Sequence, residues 1–333
     1  MSTIKVGLIG GGGIVDAHIR GYRAYADAIG VTAVADVIDE TARRRATELG
    51  AAAYTDFRQM ILEADLDAVD ICLPHHLHAE AIVSAAQAGK HILCEKPLCL
   101  TVEQANQVQQ AVTKAGVTLM CAHNQLFLPA VSTAKQLLDQ GILGTVYEVR
   151  ITDCFYNDFN PQNMGWRATA ATSGGGELMD TGYHPTYLML HLAGGSPIEA
   201  TALLSRHRLR FMDSEVSAQV LVRFDNGIVG HLVTSWAYDA PLGTERFSVV
   251  GERGSLHSDE TSLTVTLRGS GSQTHDFEAV DSFVSEIGHF ADCLRSGTRP
   301  LHTEREGIDV LCIILAAYEG ARSRTIAPVF RLS

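Results

Sequence analysis

Short apolar runs and amphipathic stretches alternate through roughly the first 120 residues, about three-quarters of an average domain. Ile4–Ile9, Val31–Asp36, Asp67–Leu73, His91–Cys94 and Val117–Ala122 are rich in Val, Ile, Leu and Ala and read as strands. Between them Ile14–Ala26, Thr41–Leu49, Ala79–Ala88 and Thr101–Ala115 carry the spacing of helices with one apolar face. Gly50 and Gly89 stand where helices close, Thr101-x-x-Gln104 has the form of a capping box, and Pro74 stops a strand. This alternation predicts an α/β domain, a doubly wound parallel sheet covered on both faces.

Past residue 123 the pattern changes. One helix is expected over Ala130–Leu138, then strands at Val146–Phe155, Ile198–Leu204, Ala218–Phe224, Ile228–Trp236, Phe247–Gly251 and Leu263–Leu267. Asp225-Asn226-Gly227 has the form of a hairpin turn. Helical spacing returns at Asp180–Leu192, Ser282–Arg295 and Thr303–Ala321. The expectation is an α/β domain over 1–123 and an α+β domain over 124–333, the second built on a largely antiparallel, open-faced sheet.

Composition narrows the partners. The 333 residues carry a formal net charge of −12 and no basic cluster interleaved with aromatics, which argues against nucleic acid. No apolar run approaches the roughly 18 residues that would cross a membrane. The start, MSTIKVGLIG, lacks the basic, apolar and small-residue blocks of a secretory leader, so a cytoplasmic protein is expected. The seven cysteines are scattered without a C-x-x-C pair, as expected for reduced, mostly buried thiols.

The first strand runs into KVGLIGGGGIVDAH. Read as G-x-G-x-x-G, the motif is Gly10-x-Gly12-x-x-Val15. The shifted frame ends on Asp16, a carboxylate where helix must pack on strand. A tight turn at Gly10 and close approach at Gly12, with Gly13 and Ile14 leading into the helix, suit a dinucleotide pyrophosphate at a helix N-terminus. The next strand ends in Asp36, where an acid holds the adenosine ribose, and its charge favours NAD over NADP. Arg43–Arg45 reads as a solvated helix face rather than a clamp for a 2′-phosphate.

Two further stretches, ICLPHHLHAEAIVSAAQAGKHILCEKPL (71–98) and GGGELMDTGYHPTYLMLHLAGG (174–195), complete a pattern. With GLIGGGGI, the chain resembles the glucose–fructose oxidoreductase / inositol dehydrogenase family (Gfo/Idh/MocA) over its whole length. One departure is Val15, where such motifs carry Gly or Ala. The resemblance implies a Rossmann domain, NAD and a polyol or sugar substrate.

Lys96 follows the fifth strand, at the carboxyl edge where ligands of such sheets bind, and Pro97 holds it extended. The family implies a cis Lys96–Pro97 bond and a catalytic lysine; without it Lys96 reads as well as a surface residue. Asp180 and His184, four apart, share one face if they lie on one helix. By themselves they read as a helix-start carboxylate over a core histidine. The resemblance makes His184 the proton acceptor and Asp180 the residue that binds substrate hydroxyls and steers the histidine. His75, His76 and His78 lack partners that would complete a metal set, so no metal is expected. The loop of Leu73, Pro74 and His78 reads as cofactor lining, Glu95 as a contact to the nicotinamide ribose, and Asn124, beside His123, as facing the site. Asn157, Trp166, Arg167 and Tyr238 fall where the family takes substrate contacts.

The function implied is hydride transfer between a ring carbon of a polyol, an inositol or a cyclic sugar, and nicotinamide. A redox-neutral glycoside-cleaving enzyme and a non-catalytic dinucleotide-bound sensor are the alternatives. Ala218–Phe224 and Ile228–Trp236 carry apolar residues on both alternating sets, with Val220 and Leu221 on opposite faces. That pattern, and the family's habit, imply a homodimer or homotetramer joined through the open sheet face.

Overall fold

The computed structural model describes residues 2–259 and 261–332. The chain forms two compact units, Met1–Asn124 with Asp281–Ile308, and Gln125–Val280 with Asp309–Ser333.

The first unit holds β1 (Ile4–Ile9), β2 (Ile29–Ala35), β3 (Ala52–Tyr54), β4 (Ala68–Ile71), β5 (His91–Glu95) and β6 (Leu119–Ala122). Their order is β3-β2-β1-β4-β5-β6 and every pairing is parallel. The connections are α1 (Val15–Ala24), α2 (Asp39–Leu49), α3 (Phe57–Glu63), α4 (His78–Gln87) and α5 (Val102–Ala115). Chain direction across the sheet reverses between β1 and β4, the switch point where doubly wound sheets bind ligands. Leu8, Val15, Ile19, Val34, Ala46 and Cys72 form one buried core cluster beside it. Thr101 caps α5 by accepting the Gln104 amide at 3.1 Å, and Gln104 returns the bond to the Leu100 amide at 2.9 Å.

A late segment completes this unit. Helix α10 (Ser282–Ser296) packs against α1 at two glycines. A Cβ on Gly21 would stand 2.5 Å from Ile287, and one on Gly288 2.4 Å from the Tyr25 ring. The contact therefore requires glycine on both helices. Strand–helix alternation ends at 123 and carries no trace of this return.

In the second unit α6 (Pro129–Asp139) precedes nine strands. They are β7 (Val146–Cys154), β8 (Pro197–Ser205), β9 (Ser217–Phe224), β10 (Val229–Ser235), β11 (Phe247–Gly251), β12 (Gly254–Ser258), β13 (Ser262–Leu267), β14 (Gly271–Asp276) and β15 (Ala327–Pro328). The order is β14-β13-β12-β11-β7-β10-β9-β8-β15, antiparallel except that β7 and β10 run parallel. Short helices α7 (Ala170–Ser173) and α8 (Glu177–Asp180) lead into α9 (Tyr183–Ala193); α11 (Glu304–Ser323) crosses the boundary between the units. One face of the sheet is closed: Val149, Ile151, Ala200, Ala202, Val220, Val222 and Leu232 are all buried.

The continuous helix expected over Asp180–Leu192 is broken. Thr181 and Gly182 separate α8 from α9. Pro185 has no amide to give the Thr181 carbonyl, and Gly182 lies so close to Leu178 that a Cβ there would sit 2.6 Å from its Cα. Asp180 and His184 therefore stand on two helices rather than on one face of a single helix.

Candidate active site

The glycine turn is closed on one side and open on the other. Gly10 has φ +98°, and a Cβ there would lie 2.3 Å from the Cys72 carbonyl oxygen. A Cβ on Gly11 would strike Thr41 at 2.5 Å. At Gly12 and Gly13 it would meet nothing within 4 Å. Val15, the first residue of α1, is buried in the cluster with Leu8 and Val34, while Asp16 is exposed. An aliphatic residue thus fills the third motif position, and the turn is free for a ligand at Gly12, Gly13 and Ile14. This fits a dinucleotide pyrophosphate.

Asp36, just past β2, accepts the Gly11 amide on Oδ2 and the Ile38 amide on Oδ1, each at 2.8 Å. The basic triplet departs from its expected solvated face. Arg43 is exposed and paired with Asp39, but Arg45 is buried. Its Nε donates to the Gly11 carbonyl and Nη2 to the Gly12 carbonyl, at 3.3 and 3.4 Å; Nη1 bonds Asp16 at 2.6 Å and Glu48 at 3.0 Å. A guanidinium with four acceptors can be buried where an isolated charge cannot.

At the end of β5, Lys96 begins a turn with a cis Lys96–Pro97 bond. The turn is held on both sides. Lys96 donates its amide to Glu95 Oε2 at 3.0 Å, and the Pro97 carbonyl lies 2.7 Å from His78 Nδ1. The other ring nitrogen of His78 lies 2.7 Å from the Leu73 carbonyl, so this buried ring straps the loop after β4, with Pro74, to the lysine turn. Burial lowers the His78 pKa against the pull of those two carbonyls. Glu95 is buried, its second oxygen 3.0 Å from His18 Nε2. Asn124 is buried and donates to Ser282 at 2.9 Å; His123 is buried against Cys121 and His302.

The second unit gathers its own polar group. Asp180, almost fully buried, receives Arg167 Nε at 2.5 Å, and the Arg167 guanidinium lies over the Trp166 ring at 4.3 Å. His184 Nδ1 stands 2.9 Å from the Tyr187 hydroxyl, which accepts the Gln125 amide at 3.1 Å. The resemblance gives the steering of His184 to Asp180; the structure adds the Tyr187 hydroxyl at His184 Nδ1 and the Arg167 guanidinium on Asp180. Asn157 donates its amide to the Trp236 carbonyl, and its own carbonyl accepts Arg208, each at 3.0 Å. Trp236 anchors an apolar cluster with Met164, Leu209, Met212 and Val216, against which Phe155, Phe159, Ala168 and Ala237 pack. The loops bearing Asn157, Trp166, Arg167 and Tyr238 thus rest on one local core.

Glu177 has no counterpart in the sequence reading. It is fully buried, its Oε1 accepts Thr234 Oγ1 at 2.5 Å, and Oε2 has no partner among the described residues. Burial raises its pKa well above the usual glutamate value, assisted by Asp153, Glu215 and Asp180. Tyr187 is not among the candidates read from the sequence, although its spacing of three from His184 is the signal that marks it.

Two family models match the chain. Residues 4–123 match the oxidoreductase family, NAD-binding Rossmann fold, and residues 131–257 the GFO/IDH/MocA C-terminal domain. The chain belongs to the Gfo/Idh/MocA oxidoreductase family. It is 36% identical to levoglucosan dehydrogenase of Pseudarthrobacter phenanthrenivorans over 203 residues, 58% of this chain and 52% of that protein. It is 27% identical to myo-inositol 2-dehydrogenase of Thermotoga maritima over 330 residues, 94% of this chain and 95% of that one. A solved levoglucosan dehydrogenase complex with NADH and levoglucosan superposes with TM-score 0.90 at 26% identity, covering 99% of this chain and all of that one. Gfo/Idh/MocA relatives of this kind are NAD(P)-dependent sugar and polyol dehydrogenases. No helix among the described residues is long and apolar enough to cross a membrane.

Proposed function

We propose that this family member is an NAD-dependent dehydrogenase that oxidises a secondary hydroxyl on the ring of a cyclic sugar or inositol. The observation that carries the reading is the His184–Tyr187 pair, a histidine whose Nδ1 is engaged by a buried phenol. With Nδ1–H given to that phenol, the lone pair at Nε2 is the basic position, and it takes the proton of the reacting hydroxyl. The family resemblance gives Lys96 the role of polarising the reacting oxygen and stabilising the charge that develops there. Asp180, paired with Arg167, accepts hydrogen bonds from neighbouring hydroxyls and fixes which carbon reacts. NAD, when bound, supplies the hydride acceptor. Gly12, Gly13, Ile14 and Asp36 would hold its adenosine and pyrophosphate end, and Leu73 and Pro74 would line the path to Lys96, on a loop that the buried His78 ring straps in place rather than lines.

Oxidation of levoglucosan, myo-inositol, scyllo-inositol and D-xylose, followed by NADH absorbance with NAD and with NADP, tests this. Substrate-dependent NADH accumulation is expected. Glycoside cleavage without free NADH would favour the redox-neutral alternative. A chain that binds NAD yet turns over none of the panel would favour the sensor. The cytoplasm is the proposed compartment.

The chain also assembles, on this reading, as a homodimer or homotetramer. Support comes from the outer face of the nine-stranded sheet, where Leu203 is 78% and Leu221 50% exposed on neighbouring strands.

A further inference from the structure

Beneath the Lys96 turn lies a buried polar cluster that the reaction above does not use. His18, on α1, is fully buried and stands between two carboxylates. Its Nδ1 is 2.8 Å from Asp70 Oδ2, on β4, and its Nε2 is 3.0 Å from Glu95 Oε1, on β5. The Tyr22 hydroxyl donates to the same Asp70 oxygen at 2.9 Å, and the Cys72 thiol to the other at 3.5 Å. From α10, Glu286 is fully buried, and neither of its oxygens has a partner among the described residues.

Ionised carboxylates only accept hydrogen bonds, so both ring contacts are satisfied together when the ring carries both protons. Burial works against that charged ring, but Asp70 and Cys72 outweigh it, and the His18 pKa lies well above the usual histidine value. Burial also pushes the Glu286 carboxyl well above its usual value, with Glu95 and Asp70 adding to the rise. His18, Asp70 and Cys72 are close enough to ligate a metal ion. Hydrogen bonds among them already occupy those atoms, and burial holds the Cys72 thiol up at about 12.

The path continues upward from Glu95. Its Oε1 faces His18, and its Oε2 receives the Lys96 amide at 3.0 Å. Because Pro97 has no amide, the Lys96–Pro97 turn lacks one of the donors that would otherwise anchor it. We propose that His18 is a positioning residue for Lys96: bridging Asp70 and Glu95, it fixes the carboxylate that holds the Lys96 backbone, and so sets where the ammonium stands. The proposal rests on the dehydrogenase reading and adds a residue remote from substrate. An error of about 1 Å in placing a catalytic group costs on the order of 10²-fold in rate.

A double-mutant cycle tests it, with NAD and whichever of levoglucosan, myo-inositol or D-xylose turns over. His18→Gln bonds at only one of the two ring positions and is expected to lower kcat by roughly 10- to 100-fold. Its Kd for NAD, titrated directly, stays within about threefold, a shift of roughly half of one decade. In the Lys96→Ala background the same change adds no further loss, because both variants remove one function. Tyr22→Phe removes one donor from Asp70 but leaves the His18–Glu95–Lys96 path in place, and is expected to cost turnover much less than His18→Gln does. A folded His18→Gln enzyme with wild-type turnover, or losses that multiply in the double variant, would overturn the proposal. If Lys96→Ala itself turns over normally, the assignment of Lys96 fails and the proposal with it. A measurement on the unaltered protein covers the case in which His18→Gln does not fold. Ring 15N resonances of His18 should show both nitrogens protonated at neutral pH, and the Lys96 amide resonance should move with them as the ring titrates. A singly protonated ring, or an amide blind to that titration, overturns it.

Discussion

Arg45 Nε donates to the carbonyl oxygen of Gly11 over 3.3 Å, from the middle of the helix that follows β2. With Nη2 on the Gly12 carbonyl and Nη1 on Asp16, one side chain draws two carbonyls of the glycine turn toward α2. With those carbonyls held on the α2 side, an anion is expected at the peptide N–H groups of Gly12 and Gly13. Arg45→Ala is expected to raise the Kd for NAD about tenfold, the worth of one charge-assisted hydrogen bond. Arg45→Lys recovers only part of this, because a point charge cannot fork between two carbonyls. Calorimetric titration with NAD measures both, and an unchanged Kd in Arg45→Ala would rule out the brace.

Asp36 governs the choice of cofactor by the same turn. Its two oxygens take the Gly11 and Ile38 amides, which keeps a carboxylate at the end of β2. A negative group there accepts ribose hydroxyls and repels a 2′-phosphate. Asp36→Asn removes the charge and keeps an acceptor for only one of the two turn amides. The ratio of kcat/KM for NAD to that for NADP is expected to fall about tenfold or more, for the loss of one charge interaction. A wild-type enzyme that prefers NADP would reverse the assignment.

His184→Ala should lower kcat by roughly 10²–10⁴-fold, the range for a lost general base, with NAD affinity nearly unchanged. Tyr187→Phe removes the hydroxyl 2.9 Å from Nδ1 but leaves the imidazole. Its cost is smaller, about tenfold, the worth of one orienting hydrogen bond. Steady-state kinetics on the pair separates the base from its support. Equal losses in the two variants would make the phenol a reacting group in its own right.

Long periodic elements were legible and special contacts were not. Ile4–Ile9 and Phe247–Gly251 match the strands residue for residue, because continuous or alternating apolar runs have few other readings. The strand Gly271–Asp276 went unread because it is polar and exposed at a sheet edge, with no buried face to impose a pattern. Ala52–Tyr54 and Phe57–Glu63 are too short for periodicity to register. Arg45 misled for a different reason: a charge between two other arginines reads as solvated, and its acceptors are backbone carbonyls some 30 residues earlier. The motifs named Lys96 and His184, but their supports, Glu95 through His18 and Tyr187, are set by folding rather than by spacing alone.

Docking of α10 on α1 should carry a signature at low pH. Asp281 caps α10 by accepting the Phe283 amide at 3.1 Å, and it receives Arg20 Nε from α1 at 2.6 Å. The Arg20 hydrogen bond, ahead of the opposing effect of burial, lowers the Asp281 pKa below the usual carboxylate value. A group depressed on folding contributes stability above its unfolded pKa and loses it as pH falls through the folded one. Asp281→Ala should therefore cost about 1–2 kcal/mol between pH 5 and 8, cap and partly exposed ion pair together. The difference from wild type should shrink below about pH 4, near the unfolded value. Urea unfolding across that range provides the check; a gap that widens in acid would mean that the carboxylate is not what holds the helix.

Assembly can be tested on the open face of the second sheet. Along β9 the pattern is clean: Val220 is 1% exposed and Leu221 50%. Thr201 pairs with Leu221, and Leu221 with His231 on β10; Leu203 pairs with Gln219, and Gln219 with Val233. Paired residues share a face, so Leu203, Leu221 and Val233 lie among Thr201, Gln219 and His231 on one surface. The aliphatic groups on this surface are flanked by the Arg150–Glu148 and Arg223–Glu199 ion pairs, an apolar centre with a charged rim as interfaces have. A second copy of the chain applied to this face would bury both leucines, at about 1.5–3 kcal/mol for each side chain fully covered. Leu203→Glu and Leu221→Glu together place a charge at the centre of that contact on each copy and should dissociate it. Light scattering should then report a mass near the 35.9 kDa of one chain for the double variant and a multiple of it for the wild type at micromolar concentration. A wild type already at the single-chain mass across the dilution series would remove this face from consideration as the joint.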